Sequence, residues 1–229
     1  MAPRSFSPRS FTQGLRQKAA PLWEQEQSHP FLLGLGDGTL PLDRFRYYMR
    51  QDYVFLVDFC RVVALAAAKA GRVEDMAWFA RLLHETLNAE MAMHVSFCGD
   101  LGITEAELKS TAPSPTTVAY TGYLLRIAHS GDVCEAAVAI LPCSWGYAEI
   151  GRMLTGRGLP KQRLYRRWIE QYASPEFAAL DDQLRAFIDR QAPSYPASRL
   201  RELEQVFLQC SRYEYLFWDA AYRMEAWPS

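Results

Sequence analysis

Long segments without helix breakers constrain the fold of this chain more than any other feature. One of them runs from about Pro41 to Gly71 with neither glycine nor proline between its ends. Apolar residues in these segments recur at helical spacing, and no stretch shows the Val/Ile/Thr alternation that is typical of strands. Because long, breaker-free amphipathic segments joined by short connections pack side by side, the sequence predicts an all-α bundle of long antiparallel helices.

Glycine, proline and capping residues predict where the helices begin and end. The segment from His29 to Pro41 holds three glycines and two prolines, which predicts a loop between the first and second helices. Asp132 and Glu135 have the spacing of a capping box. Residues 1–10 are expected to form a flexible tail and residues 11–229 a single helical domain. The remaining predicted helices are 41–71, 73–98, 114–131, 132 onward, 161–173, 174 onward and 198–223.

Composition and charge exclude several classes of protein. The chain has 25 basic and 26 acidic residues, a balance that argues against a nucleic-acid surface or an anionic-membrane surface. The longest strongly apolar run, Val62 to Ala68, is far shorter than the roughly 20 residues of a membrane span. Five cysteines without a C-x-x-C pair indicate neither a disulfide framework nor a zinc site. With no secretory signal at the start, we expect a cytoplasmic protein.

Two acids fall in the middle of apolar helix faces. Asp52 lies on the stripe formed by Met49, Leu56 and neighbouring residues, and Glu214 is at the centre of a similar stripe on the last helix. A carboxylate at such a position costs several kcal/mol unless it is paired, hydrogen-bonded or protonated. Both acids are therefore candidates for a functional site, although either one alone could simply hold a polar group of the core.

A cysteine follows a proline inside an apolar helical run. Pro142 removes a backbone donor and is expected to kink the helix, and Cys143 comes directly after it, with Tyr147 one turn later on the same face. A thiol next to an acid-lined aromatic cavity is a candidate nucleophile. The alternative is that Cys143 only packs, as buried cysteines usually do. The other four cysteines are interpreted as core residues: Cys60, Cys98, Cys134 and Cys210.

Metal chemistry is not expected. A di-iron bundle needs Glu-x-x-His motifs on two helices, whereas this chain has four histidines, and Glu90 and His94 are four residues apart. We therefore expect no cofactor and interpret Glu90 and His94 as solvated or buried polar groups. The residues alone leave two interpretations open: a metal-free enzyme for a small aromatic molecule, or a binding bundle in which the same groups hold a ligand.

Several motifs carry a resemblance to a known family. LPCSWGYAEIG (141–151) and YEYLFWDAAYRMEAW (213–227) are the most specific. Shorter matches are HPF with GDGTLP, DRFRYYMRQDY, AEMAMH, SPTTVAYT and WIEQYAS. These segments follow the family's order across nearly the whole chain. The sequence strongly resembles TenA, the thiaminase II family, and this implies the haem-oxygenase-like all-α fold.

The resemblance also implies an activity. Family members hydrolyse 4-amino-5-aminomethyl-2-methylpyrimidine to the hydroxymethyl compound and ammonia, which salvages degraded thiamin, and they can cleave thiamin itself. The resemblance implies no cofactor, and it implies that the protein is a homotetramer. Alternatives are a TenA-like hydrolase of a formylated aminopyrimidine and a non-catalytic pyrimidine- or thiamin-binding protein.

The resemblance assigns roles to individual residues. Cys143 matches the nucleophile that adds to the pyrimidine ring, and Glu214 matches the acid that exchanges protons with the ring nitrogen and the leaving group. Asp52 matches the carboxylate that binds the 4-amino side of the ring. The residues that match pocket phenols are Tyr120, Tyr147 and Tyr172. Phe55 stands where some members have a pocket tyrosine, which removes one hydroxyl and affects the expected turnover rate.

Overall fold

The computed structural model describes residues 10–228, and all regular structure in that part of the chain is helical. The all-α prediction is confirmed. The α-helices are α1 Phe11–Lys18, α2 Ala20–Gln27, α3 Pro30–Asp37, α4 Leu42–Lys69, α5 Val73–Glu85, α6 Met91–Asp100, α7 Glu105–Lys109, α8 Pro115–Ser130, α9 Val133–Arg157, α10 Arg163–Tyr172, α11 Pro175–Gln191 and α12 Ala197–Arg223.

The helix predicted from Val73 to Cys98 is present, but it is not regular. A π-helical turn, Thr86–Glu90, connects α5 to α6, and the helical run ends at Asp100. π-Turns carry an extra residue in the helix and are often found at functional sites. This turn lies against the cavity described below.

The predicted loop between His29 and Pro41 is wrong, because most of it forms α3. His29 Nδ1 accepts a hydrogen bond from the Phe31 N–H at 3.2 Å, and Pro30 occupies the first turn, where its missing donor costs nothing. Gly34 is favoured by packing rather than by a turn, since a Cβ there would lie 3.1 Å from the Leu40 nitrogen, closer than an ordinary van der Waals contact. Gly38 ends the helix in the left-handed conformation at φ 84°.

The other predicted helix ends agree closely with the structure. Ser114 and Ser174 each cap a helix that has proline in its first turn. Asp132 and Glu135 form the predicted capping box at the start of α9. The first predicted helix is divided at Ala19 into α1 and α2, and the short α7 was not predicted.

Helix α9 passes through the centre of the bundle. It packs against α4, α8, α10, α11 and α12, so it is apolar on all sides from Ala136 to Leu141. Residues from Cys134 to Pro142 are buried without interruption. This environment explains why the AAVAIL segment shows no polar face. The core cluster is continuous from α1 to α12.

Residues 1–9, on which most of the expected tail falls, lie outside the described residues, and Ser10 caps α1. In the described part of the chain, no helix is long and apolar enough to cross a membrane.

Candidate active site

A cavity of about 530 Å³ opens between α4, the π-turn, α9 and α11. This volume lies in the range of small-molecule sites. Asp52, Tyr147 and Tyr172 form its buried inner wall, together with the partly buried Cys143. Exposed residues of α5 and α11 form its outer rim, among them Arg81, Glu85 and Glu176.

Cys143 reaches the cavity from α9, directly after Pro142 and one turn before Tyr147. Burial raises the pKa of the Cys143 thiol well above its usual value, and the nearby acids Glu214 and Asp52 raise it further. The resting side chain is therefore a neutral thiol, and it needs a base before it can act as a nucleophile. The other four cysteines are buried and free, as predicted for core residues.

Asp52 is buried and has no cationic partner within residues 10–228. The Tyr48 hydroxyl lies 3.4 Å from Asp52 Oδ2, and His94 Nδ1 lies 3.5 Å from the same oxygen. Burial is the main cause of a strongly raised Asp52 pKa, and the charge of Glu90 contributes. Asp52 is thus held weakly and is protonated more readily than an ordinary aspartate.

His94 has a defined tautomer. Its Nε2 lies 2.6 Å from the Met49 carbonyl oxygen, which can only accept, so Nε2 carries the proton. Burial lowers the His94 pKa to about 4, and the ring is neutral near pH 7. Its unprotonated Nδ1 is therefore the atom that faces Asp52.

Glu214 lies close to Cys143 but outside the residues that line the cavity. It is 2% exposed, and Oε1 accepts a hydrogen bond from the Tyr120 hydroxyl. Burial and the charge of Glu26 raise the Glu214 pKa to about 8, although the Tyr120 hydrogen bond opposes that shift. Glu214 is therefore a neutral acid at pH 7 and can give up a proton.

Aromatic rings complete the site. Tyr147 and Tyr172 meet at 4.9 Å between ring centroids, and both line the cavity. Phe55 also lines the cavity and packs against Tyr120 at 5.0 Å, whereas Tyr120 lies behind the lining with Glu214. The structure thus brings together at the cavity all the candidate residues except Tyr120 and Glu214, which lie one layer deeper.

Sequence reasoning missed several polar groups at the cavity. Glu90, Ser144 and Gln171 line it, and burial raises the Glu90 pKa to about 7. Glu26 was also missed; it accepts a hydrogen bond from Trp218 Nε1 at 2.9 Å, and burial raises its pKa to about 8. A helical wheel based on 100° per residue does not place Glu90 correctly, because the π-turn changes the register of the face.

Residues 10–228 contain no group of three or more His, Cys, Asp or Glu side chains placed to hold a metal ion. The donor groups at the cavity are one thiol, several carboxyls, hydroxyls and an amide, arranged around an aromatic wall. Such a lining suits a flat polar ring that is stacked and hydrogen-bonded at its edge. An all-α bundle with a thiol and perturbed acids around such a cavity defines a small-molecule enzyme.

Comparison with known proteins gives the family. Residues 16–224 match the TENA/THI-4/PQQC family. An aminopyrimidine aminohydrolase from Halalkalibacterium halodurans is 42% identical over 219 residues, which cover 95% of this chain and 98% of that protein. The chain belongs to the TENA/THI-4/PQQC family, and the resemblance seen in its sequence is confirmed.

Solved structures of similar proteins support the same family and fold. A TenA homologue from P. horikoshii superposes with a TM-score of 0.88 at 32% identity, covering 94% of this chain and 99% of that one. A protein from Shewanella denitrificans, described as having a heme oxygenase-like fold, gives a TM-score of 0.73 at 15% identity, with coverage of 95% and 94%. This second likeness shows the fold alone, and it confirms the predicted haem-oxygenase-like bundle.

Proposed function

We propose that this protein is an aminopyrimidine aminohydrolase that replaces the amino group of 4-amino-5-aminomethyl-2-methylpyrimidine by hydroxyl, with Cys143 as nucleophile. The observation that carries the proposal is the meeting of Cys143 and Asp52 on the inner wall of a ligand-sized cavity, with Glu214 close behind. The aminohydrolase relative at 42% identity supports the substrate class. Thiamin salvage follows as the role of this reaction.

Asp52 orients the pyrimidine. A 4-aminopyrimidine edge presents one N–H donor and one ring-nitrogen acceptor side by side. A carboxyl group in its protonated form presents the complementary acceptor and donor, and the raised Asp52 pKa favours that form. The aromatic side chains of Phe55, Tyr147 and Tyr172 wall the ring, and they hold it in a near-attack position over the thiol.

Glu214 and Cys143 carry out the first chemical step. Glu214 gives its proton to a ring nitrogen while the Cys143 sulfur bonds to a ring carbon, and the thiol proton passes to the Glu214 carboxylate that this transfer leaves. The two transfers are coupled, because the adduct would otherwise place negative charge on the ring and positive charge on sulfur. A protonated Glu214 at pH 7 meets this need, since its pKa is raised to about 8.

The adduct then expels the amine. The amine nitrogen is protonated near neutral pH, so the enamine electrons of the adduct break the C–N bond, its electron pair goes to nitrogen, and neutral ammonia departs and leaves an exocyclic methylene. Water adds to that methylene carbon, and loss of the thiol restores the aromatic ring. The net reaction consumes the aminomethyl compound and water, and it yields the hydroxymethyl compound and ammonia. Cys143, Glu214 and their protons return to the starting state.

The test is product detection by mass spectrometry with purified protein given the aminomethylpyrimidine, the formylated amine and thiamin in parallel. We expect hydroxymethylpyrimidine from the aminomethyl compound and a loss of at least about 10³-fold in kcat for Cys143→Ser, because a hydroxyl is a far poorer nucleophile than a thiol. Cys134→Ser is the matched control: it lies on the same helix, buried away from the cavity.

Each other outcome changes the proposal in a defined way. Product from the formylated amine alone would keep the mechanism and change the substrate. Product at an undiminished rate from Cys143→Ser would refute the nucleophile. Tight pyrimidine binding with no turnover of any compound would leave a binding protein.

A further inference from the structure

The cavity contains an acid that the proposed chemistry does not use. Glu90 closes the π-turn and lines the cavity together with Thr86, Ala89 and Met93 of the same helical run. In the described part of the chain its carboxyl group makes neither a hydrogen bond nor an ion pair. Most other partly buried acids here do have partners, such as Glu149 with Arg16.

Glu90 is close to the reacting groups. It lines the main cavity together with Asp52 and Cys143, and it shares a smaller pocket with Asp52 and His94. If Asp52 takes the 4-amino edge of the ring and Cys143 bonds to a ring carbon, the neighbouring methylene substituent extends along the same wall. Within residues 10–228, the cavity-lining polar side chains without a hydrogen-bond or ion-pair partner include Glu90, Ser144 and Gln171.

The charges that face this part of the cavity are predominantly acidic. Among the described residues, Glu90 and, at the outer rim, Glu85 and Glu176 line it, against the guanidinium of Arg81, whereas Asp52 adds little charge because its raised pKa favours the protonated form. A cavity lined by an excess of negative charge concentrates cations and repels anions. A primary amine carries a positive charge near neutral pH, whereas a hydroxymethyl group carries none.

We infer that Glu90 is a specificity-determining residue, whose carboxylate binds the ammonium group of the substrate and so selects a cationic amine as the leaving group. This inference rests on the proposed function and names the part of the substrate that the site recognises. The ion pair holds the nitrogen in its protonated form until the C–N bond breaks. Both bond electrons then go to nitrogen, and the ammonium leaves as neutral ammonia.

Two consequences follow from this assignment. The hydroxymethyl product lacks the charge, so it binds less tightly than the substrate and is released. The thiazolium of thiamin is a diffuse cation without N–H donors, so it gains less from a carboxylate that accepts directed hydrogen bonds. Glu90 therefore favours the aminomethyl compound over thiamin.

The test is calorimetric binding of two matched ligands, the 5-aminomethyl and the 5-hydroxymethyl pyrimidine, to protein with the turnover-blocking Cys143→Ser substitution. Adding Glu90→Gln should reduce the preference for the aminomethyl ligand by about 30-fold, the size expected for a lost charge-assisted hydrogen bond. Affinity for the hydroxymethyl ligand should stay the same. Glu85→Gln, an acid of the same cavity one turn earlier, is the control and should keep the preference.

The outcomes separate this inference from the proposed function. An unchanged preference in Glu90→Gln, or an equal loss of affinity for both ligands, would overturn the inference while leaving pyrimidine binding intact. Failure of both ligands to bind the parent protein would overturn the proposed function and the inference with it. Should Glu90→Gln fail to fold, Glu90→Asp decides: the shortened carboxylate must lower the preference, and an unchanged ratio refutes the role.

Discussion

Two groups of buried acids surround Cys143, and the protein holds them differently. The cavity acids, Asp52 and Glu90, line the open space and have weak partners or none. The sealed acids, Glu26 and Glu214, lie outside that lining, and each accepts a hydrogen bond from a neutral donor: Trp218 Nε1 for Glu26 and the Tyr120 hydroxyl for Glu214. Both groups have raised pKa values because burial disfavours their charged forms.

This difference suggests a division of labour. An acid that is fixed by a neutral donor keeps its position and its proton, which suits a proton donor. An acid that lines the cavity and has no partner among the described residues is free to pair with a ligand, which suits substrate binding. Substitution of a sealed acid should therefore change rates and pH profiles, whereas substitution of a cavity acid should change affinities.

The largest effect after loss of the thiol is expected from Glu214→Gln. The amide keeps an acceptor for Tyr120 but cannot donate an acidic proton, so kcat should fall by about 10²- to 10³-fold while pyrimidine affinity stays the same. Steady-state kinetics and ligand titration measure the two quantities. Loss of affinity with little change in kcat would place Glu214 among the binding residues instead.

The pH profile should respond to Glu26→Gln. Glu214 acts as an acid when protonated, so kcat should fall as the pH rises through about 8. The charge of Glu26 raises the Glu214 pKa, and its removal should therefore move this decline to lower pH. A kcat profile between pH 6 and 9 tests the shift. A shift to higher pH, or none, would contradict the coupling between the sealed acids.

Glu26→Gln should also change stability in a pH-dependent way. The folded protein keeps a proton on Glu26 up to about pH 8, whereas the unfolded chain loses it near the usual value of 4.5. Between these values the folded state binds more protons, so the free energy of unfolding falls as the pH rises. The variant should be more stable than the parent by on the order of 4 kcal/mol at pH 9 and about equal at pH 5. Denaturant unfolding of the parent and the variant at both pH values measures this difference in the free energy of unfolding. The same difference at pH 5 and at pH 9 would refute the prediction.

The smallest effect is expected from Phe55→Tyr. Phe55 lies on the boundary between the two groups, facing the cavity while packing against Tyr120 and Phe217. A hydroxyl there adds one hydrogen-bonding group to the wall, so kcat/KM should rise or stay within about 3-fold of the parent value. A large loss would show that the ring packs as part of the sealed layer.

Much of the site could be predicted from the sequence because its residues break a regular pattern. Asp52 and Glu214 stand out as charges on apolar faces, and Cys143 stands out beside a proline inside a helix; both acids are buried and the thiol lines the cavity. Glu90 lacks that contrast. It falls at a π-turn, where the extra residue changes which side chains share a face, and a regular helical period cannot show this.

The sequence by itself determined the helical class, most helix ends and the candidate residues of the site, since these depend on local patterns of apolarity, capping and chain breaking. Tertiary structure decided the rest. It formed α3 from a glycine-rich segment by packing Gly34 against Leu40, and it divided the buried acids into a cavity group and a sealed group. Packing between helices that are distant in sequence makes this division, because burial depth depends on which neighbours cover a side chain.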